Sequence, residues 1–153
     1  MANADLQLLK KLRNETGSSI VDCRIALEES DNDYEKAKAW LKKRGIEKAG
    51  KKSDRETSQG LIESYVHGGR VGAMVEITCE TDFVARTDDF KKLAHEVAMQ
   101  VAAMNPETVE DLLKQEYIRD PKSTIGGMVK ETIGKLGENI VIKKISRFEL
   151  GVK

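Results

Sequence analysis

The chain predicts an α+β fold, three short helices followed by an antiparallel sheet covered by helices, and three observations carry that prediction. Apolar residues recur at helical spacing through the first 45 or so residues. Val71, Ala73, Val75, Ile77 and Cys79 alternate onto one face, as a half-buried strand does. Phe90, Leu93, Ala94, Val97, Ala98, Val101 and Met104 then hold a helical stripe for four turns.

In order along the chain, Leu6, Leu8, Leu9 and Leu12 predict a first helix, with Gly17 where a left-handed cap would sit. Ser19, Ile20, Val21 and Asp22 resemble a capping box leading into Ile25, Ala26 and Leu27, a second helix ending near Glu29. Asn32 or Asp33 caps a third, with Ala37, Trp40 and Leu41 on one face and Gly45 closing it after three basic residues. Beyond Ile46 the apolar period gives way to Lys, Gly, Ser, Asp and Arg, the composition of a mobile, solvated connector. The predicted division is therefore a three-helix domain over 1–46, a charged linker over 47–59 and an α+β core over 60–153.

In the core, Leu61 to Val66 and Val71 to Cys79 form a hairpin around Gly68-Gly69. Asp88 or Asp89 caps the long helix, and Asn105-Pro106 stops it. A shorter helix carries Val109, Leu112 and Leu113 and ends before Asp120-Pro121. Ile125, Met128, Val129, Ile133 and Leu136 mark a last helix capped by Gly137. Ile140 to Leu150 is a strand that closes the sheet, with Lys143-Lys144 marking a bulge.

Composition excludes several function classes. With 153 residues, 39% of them hydrophobic, the chain can bury a core without staples. Its 26 basic and 26 acidic side chains cancel, which removes the summed field of a general nucleic-acid binder. Cys23 and Cys79 form no Cys-x-x-Cys pair, and His67 and His95 have no ligand spacing, so neither a metal site nor a cofactor is expected. Free thiols, together with no apolar leader or membrane-length run, predict a cytoplasmic protein. Gly45 to Lys51 matches seven positions of a phosphate-binding P-loop, but Lys52 stands where the magnesium-binding hydroxyl is required, and the run leaves a helix rather than a strand. No direct nucleotide binding is expected there, and no catalytic constellation suggests an enzyme.

The stretch Glu80 to Arg86, between strand and helix, reads as a loop on a rigid frame, the usual location of binding groups. Phe83 in it is either a core plug or an exposed anchor. Ile20 and Val21 are likewise either core or surface, and His67 and Arg70 at the hairpin tip are either solvated turn residues or a partner contact.

Several separated stretches agree with one family: Leu12-Arg13, Thr16-Gly17 and Asp22-Cys23 near the start, Cys79 to Val84 in the middle, and Gly137-Glu138-Asn139-Ile140 near the end. The chain resembles bacterial elongation factor Ts over nearly its whole length. That resemblance implies a first domain similar to ubiquitin-associated domains and an α+β core. Together these would act as guanine nucleotide exchange factor for elongation factor Tu, binding its GDP-bound and nucleotide-free forms. Phe83 matches the aromatic that wedges into the partner's G domain, within Thr81, Asp82, Phe83 and Val84. Arg13, Ile20 and Val21 match a second contact surface. Longer members carry two core subdomains and an inserted helical hairpin, whereas here there is room for one hairpin, its helices and one closing strand. A homodimer is therefore expected to supply the missing half. The competing reading is a ribosome- or RNA-associated adaptor using Lys42, Lys43, Arg44, Lys48, Lys51, Lys52 and Arg55.

Overall fold

A computed structural model describes residues 2–153. Three helices, α1 (Leu6–Thr16), α2 (Ile20–Glu29) and α3 (Tyr34–Gly50), surround a core of Leu9, Leu12, Cys23, Ala26, Leu27, Ala37 and Leu41. Each start has a side-chain cap: Asp5, Ser19 and Asp33 accept from the first free backbone N–H groups. Gly17 closes α1 in the left-handed region at φ 65°.

The larger core follows. Strands β1 (Gln59–His67), β2 (Val71–Cys79) and β5 (Ile140–Glu149) form one antiparallel sheet in the order β1-β2-β5. Ala73, Val75, Ile77 and Cys79 point from the central strand onto the helices α5 (Asp88–Met104), α6 (Val109–Lys114) and α7 (Ile125–Leu136). Between β2 and α5 lies one helical turn, α4 (Asp82–Ala85). On the far side of the sheet Ile62, Val66, Met74 and Phe148 are exposed, and no helix of the described residues covers them.

Lys143 is the extra residue of a bulge, since Glu76 pairs with Lys144 and Ile77 with Ile142. The insertion reverses which residues face inward. Ile140 and Ile142 are buried before it, whereas Ile145 and Arg147 turn inward after it.

Several expectations need correction. The third helix does not end at Gly45 but runs to Gly50, so Ala49 reaches the second core. The reason is tertiary: Gly45 lies where α3 crosses α7, its Cα 2.5 Å from where a Cβ on Gly134 would stand. Nor is the connector a free solvated chain. The Asn139 amide donates to the carbonyls of Ser53 and Arg55 at 3.4 and 2.8 Å, and buried Thr57 bonds Thr78 at 2.7 Å. Thr87, rather than Asp88 or Asp89, caps α5 through its hydroxyl. A small hairpin, β3 (Glu116–Tyr117) and β4 (Asp120–Thr124), follows α6 and was not anticipated. It is anchored by Gln100, buried within α5, whose amide donates to the Glu116 carbonyl and accepts from Ile118 N–H.

The bundle and the core meet along α3 and α7. Lys42 pairs with Glu131 at 3.2 Å, and Lys135 reaches from α7 over Gly17 to Asp89 at 3.1 Å. Within the bundle, Lys48 near the end of α3 holds Asp22 of α2 at 2.7 Å.

Candidate functional site: an exposed aromatic on an anchored turn

The stretch read as a loop is a single turn of helix. Thr81 caps it, with a hydroxyl that accepts from Val84 N–H at 3.4 Å, and Asp82 pairs with Arg86 across the turn at 3.1 Å. Ala85 faces the core and Val84 packs partly against it. Phe83 points the other way and is 76% exposed. The core-plug alternative is thereby excluded, because a Phe that stabilised this fold would be buried.

The turn does not stand alone. A four-residue helix has no stability of its own, and its base is held from the far end of the chain. The Glu138 carboxylate accepts from Glu80 N–H at 3.1 Å, Thr81 N–H at 2.9 Å and the Thr81 hydroxyl at 2.7 Å. Glu80 returns the arrangement, accepting from Asn139 N–H at 2.8 Å and facing Arg55 at 3.5 Å. Asn139, 4% exposed, ties the same corner to the connector. Burial, and the nearby Glu138 carboxylate, push the Cys79 thiol upward, so it stays protonated beneath the turn and donates to the Thr81 carbonyl.

Ile20 and Val21 open α2 and are 51% and 53% exposed, so the core alternative falls for them too. Arg13 is exposed in the last turn of α1. Asp22, directly after them, loses some charge preference to burial, but the Lys48 and Ser19 bonds outweigh this and leave its carboxyl below the usual range. These residues lie on the bundle, whereas Thr81 to Val84 lie on the core.

His67 is not part of either surface. It ends β1 opposite Val71, while Cys79, next to the turn, pairs with Gln59 at the other end of that strand. The separation is the length of a nine-residue strand, about 27 Å. There the His67 ring accepts or donates one bond at 2.9 Å with the Tyr65 hydroxyl, beside an apolar cleft of about 260 Å³ that includes Met99, Ala102 and Ile118. His95 stacks edge-on against Tyr65.

Glu138, Glu80 and Asn139 were missed as functional support. The only signal was the Gly-Glu-Asn run itself, acidic and amide side chains directly after a helix-capping glycine. Among the described residues no group of three or more His, Cys, Asp or Glu is placed to hold a metal ion. None of the described helices is long and apolar enough to cross a membrane.

Two family models match the chain, "Elongation factor Ts, mitochondrial, N-terminal" over residues 1–50 and "Elongation factor TS" over residues 80–153. Elongation factor Ts of Desulfosudis oleivorans is 40% identical over an alignment covering 99% of this chain and 100% of that protein. That alignment has 197 positions, so the relative carries residues without counterpart here. The Coprothermobacter proteolyticus protein of the same name is 43% identical, covering 94% of this chain and 96% of its own. In Nostoc the identity is 45% over 98% of this chain but only 48% of the relative. Identity of this level along nearly the whole chain, with family models matching both the helical bundle and the segment from the Phe83 turn to the closing strand, leaves one conclusion: this chain belongs to the elongation factor Ts family of bacterial translation elongation factors.

Proposed function

We propose that this chain is a guanine nucleotide exchange factor for elongation factor Tu, and that it releases GDP by inserting the Thr81–Val84 turn into the partner's G domain. It makes and breaks no covalent bond. The observation that carries the reading is Phe83, a large apolar side chain held out in water on a turn anchored by the Glu138–Asn139 corner and by Arg55 of the connector. Exposed aromatics that fill a pocket are the residues that dominate interfaces. An exchange factor must bind the nucleotide-free partner more tightly than the nucleotide-bound one, and by linkage each ligand then weakens the other by the same factor. Magnesium and phosphate sites demand close geometry, so a wedge that displaces one helix of such a site costs the nucleotide much of its affinity.

Arg13, Ile20 and Val21 supply a second contact on the bundle. His67, at the opposite end of the hairpin, supplies a third, separate one. The RNA-adaptor alternative loses support, because Lys42, Arg44, Lys48 and Arg55 of its basic stripe all face carboxylates.

The test is release of a fluorescent GDP from elongation factor Tu with the native chain or with Phe83→Ala. Burying most of a Phe side chain is worth about 3 kcal/mol, so the variant should lose roughly a hundredfold in exchange efficiency. Its thermal stability should not change, because Phe83 does not pack in the core. Equal acceleration by both proteins would remove the wedge.

We further propose that two copies associate through the uncovered sheet face. Ile62, Val66, Met74 and Phe148 make it apolar, and Glu76 beside Lys144 gives it a polar centre that a two-fold related copy complements. Sedimentation should show a dimer at micromolar concentration and a monomer for Phe148→Asp; a native monomer refutes the association.

A further inference from the structure

We propose that Glu138 is the positioning residue for Phe83: its carboxylate sets the angle at which the turn leaves the body of the protein, and this rests on the reading of Phe83 as the wedge. The turn lies 57 residues before Glu138; Val84 and Ala85 seat its inner side on the core, nothing packs on its outer side around Phe83, and Glu138 bonds the residues at its start. Three donors converge there on two carboxylate oxygens, two backbone N–H groups and one hydroxyl. Bonds to an ionised acceptor are the short, strong kind, and the hydroxyl bond at 2.7 Å is of that length. The Thr81 hydroxyl both donates to Glu138 and accepts from Val84 N–H, so Glu138 also orients the group that caps the turn.

Glu138 itself cannot drift. Gly137 before it is left-handed at φ 78°, and Asn139 after it is held through its N–H by Glu80 and through its amide by two carbonyls of the connector. The side-chain length is also set. A carboxyl one methylene shorter would not span the gap to Thr81, whereas Gln keeps one acceptor oxygen for the two N–H groups, and its amide can donate to a Thr81 hydroxyl turned the other way. The contact with elongation factor Tu is made by Phe83, and Glu138 acts through it.

The test measures kcat/KM for release of fluorescent GDP from elongation factor Tu with the full chain carrying Glu138→Ala, Glu138→Gln, Phe83→Ala, and Glu138→Ala together with Phe83→Ala. Glu138→Ala should lower kcat/KM about tenfold, the factor expected on losing a charge-assisted clamp, and Glu138→Gln should recover most of it. On the Phe83→Ala background Glu138→Ala should change nothing further, because a positioning residue has no effect once the group it positions is gone. An equal loss on both backgrounds would assign Glu138 to general stability and overturn the proposal. So would full activity of Glu138→Ala while Phe83→Ala is inactive. Full activity of Phe83→Ala overturns the wedge reading and this proposal with it. Should Glu138→Ala fail to fold, Glu138→Asp takes its place, since its shorter side chain cannot reach Thr81: as a folded protein, with its Phe83→Ala double variant beside it, it must show a loss only where Phe83 is present.

Discussion

Adding one methyl group at Gly134 should destabilise the molecule, while adding one at Gly45, across the same helix crossing, should not. A Cβ on Gly134 would stand 2.5 Å from the Gly45 Cα, 2.9 Å from its carbonyl oxygen and 3.0 Å from its carbonyl carbon. Carbon atoms rest at about 3.5–4.0 Å, and these neighbours are backbone, which has no rotamer to change. The helices α3 and α7 must then part by about 1 Å. Such overpacking costs about 1–3 kcal/mol, against about 0.5–1 kcal/mol regained because Ala orders a helix at lower entropic cost than Gly. Gly134→Ala should therefore lose about 1–2 kcal/mol, a fall in Tm of about 3–8 °C for a chain of this size. A Cβ on Gly45 meets nothing closer than 3.9 Å. Gly45→Ala should keep the helix-propensity gain and raise Tm by a degree or more. The assay is thermal unfolding followed by far-ultraviolet circular dichroism on the two variants side by side. A Gly134→Ala protein as stable as the native one, or two variants shifting in the same direction, would refute the close crossing.

Two other outcomes follow from buried polar groups. Burial, then the Glu96 hydrogen bond and charge, push Tyr117 up to about 12. A folded pKa raised above the unfolded value of about 10 gives stability that is complete below pH 10 and is lost as pH rises through about 12. Tyr117→Phe should flatten that alkaline fall in Tm; a variant with the native alkaline profile counts against it. Asn139→Ala should free the connector by removing both bonds to the Ser53 and Arg55 carbonyls, at a cost of about 1–2 kcal/mol. Trypsin should then cut sooner after Lys51, Lys52 and Arg55, and unchanged cleavage would mean that the segment is held elsewhere.

Local patterns were readable in the sequence where the local geometry repeats. The alternation of Val71 to Cys79 and the stripe from Phe90 to Val101 each name their buried face, and Gly17 and Gly137 mark true helix ends because their left-handed backbone favours glycine. Gly45 carries the same letter inside α3, at the crossing with α7 and with a Cβ meeting nothing closer than 3.9 Å, and a single chain position cannot tell a capping glycine from a helical one. The β3–β4 hairpin is too short for any period and depends on Gln100, sixteen residues before Glu116. At the candidate site the sequence pointed to Phe83 through its neighbours, but not to its exposure. The support from Glu138 showed only as a Gly-Glu-Asn run with no stated partner, since a hydrogen bond spanning 57 residues leaves no spacing to detect.

The bulge at Lys143 also bears on how this sheet avoids its own kind. β5 is an edge strand, and an edge offers unpaired N–H and C=O groups to any extended chain that arrives. Two consecutive lysines at the bulge, Lys143 and Lys144, interrupt that row with positive charge and added twist just where a straight strand would be most adhesive. Were the strand to pair regularly through Lys143, with no bulge, Lys144 and Phe148 would turn toward the helices and Ile145 and Arg147 toward water. One bulge thus opposes edge-to-edge pairing at β5 while leaving the apolar outer face open to a single layer.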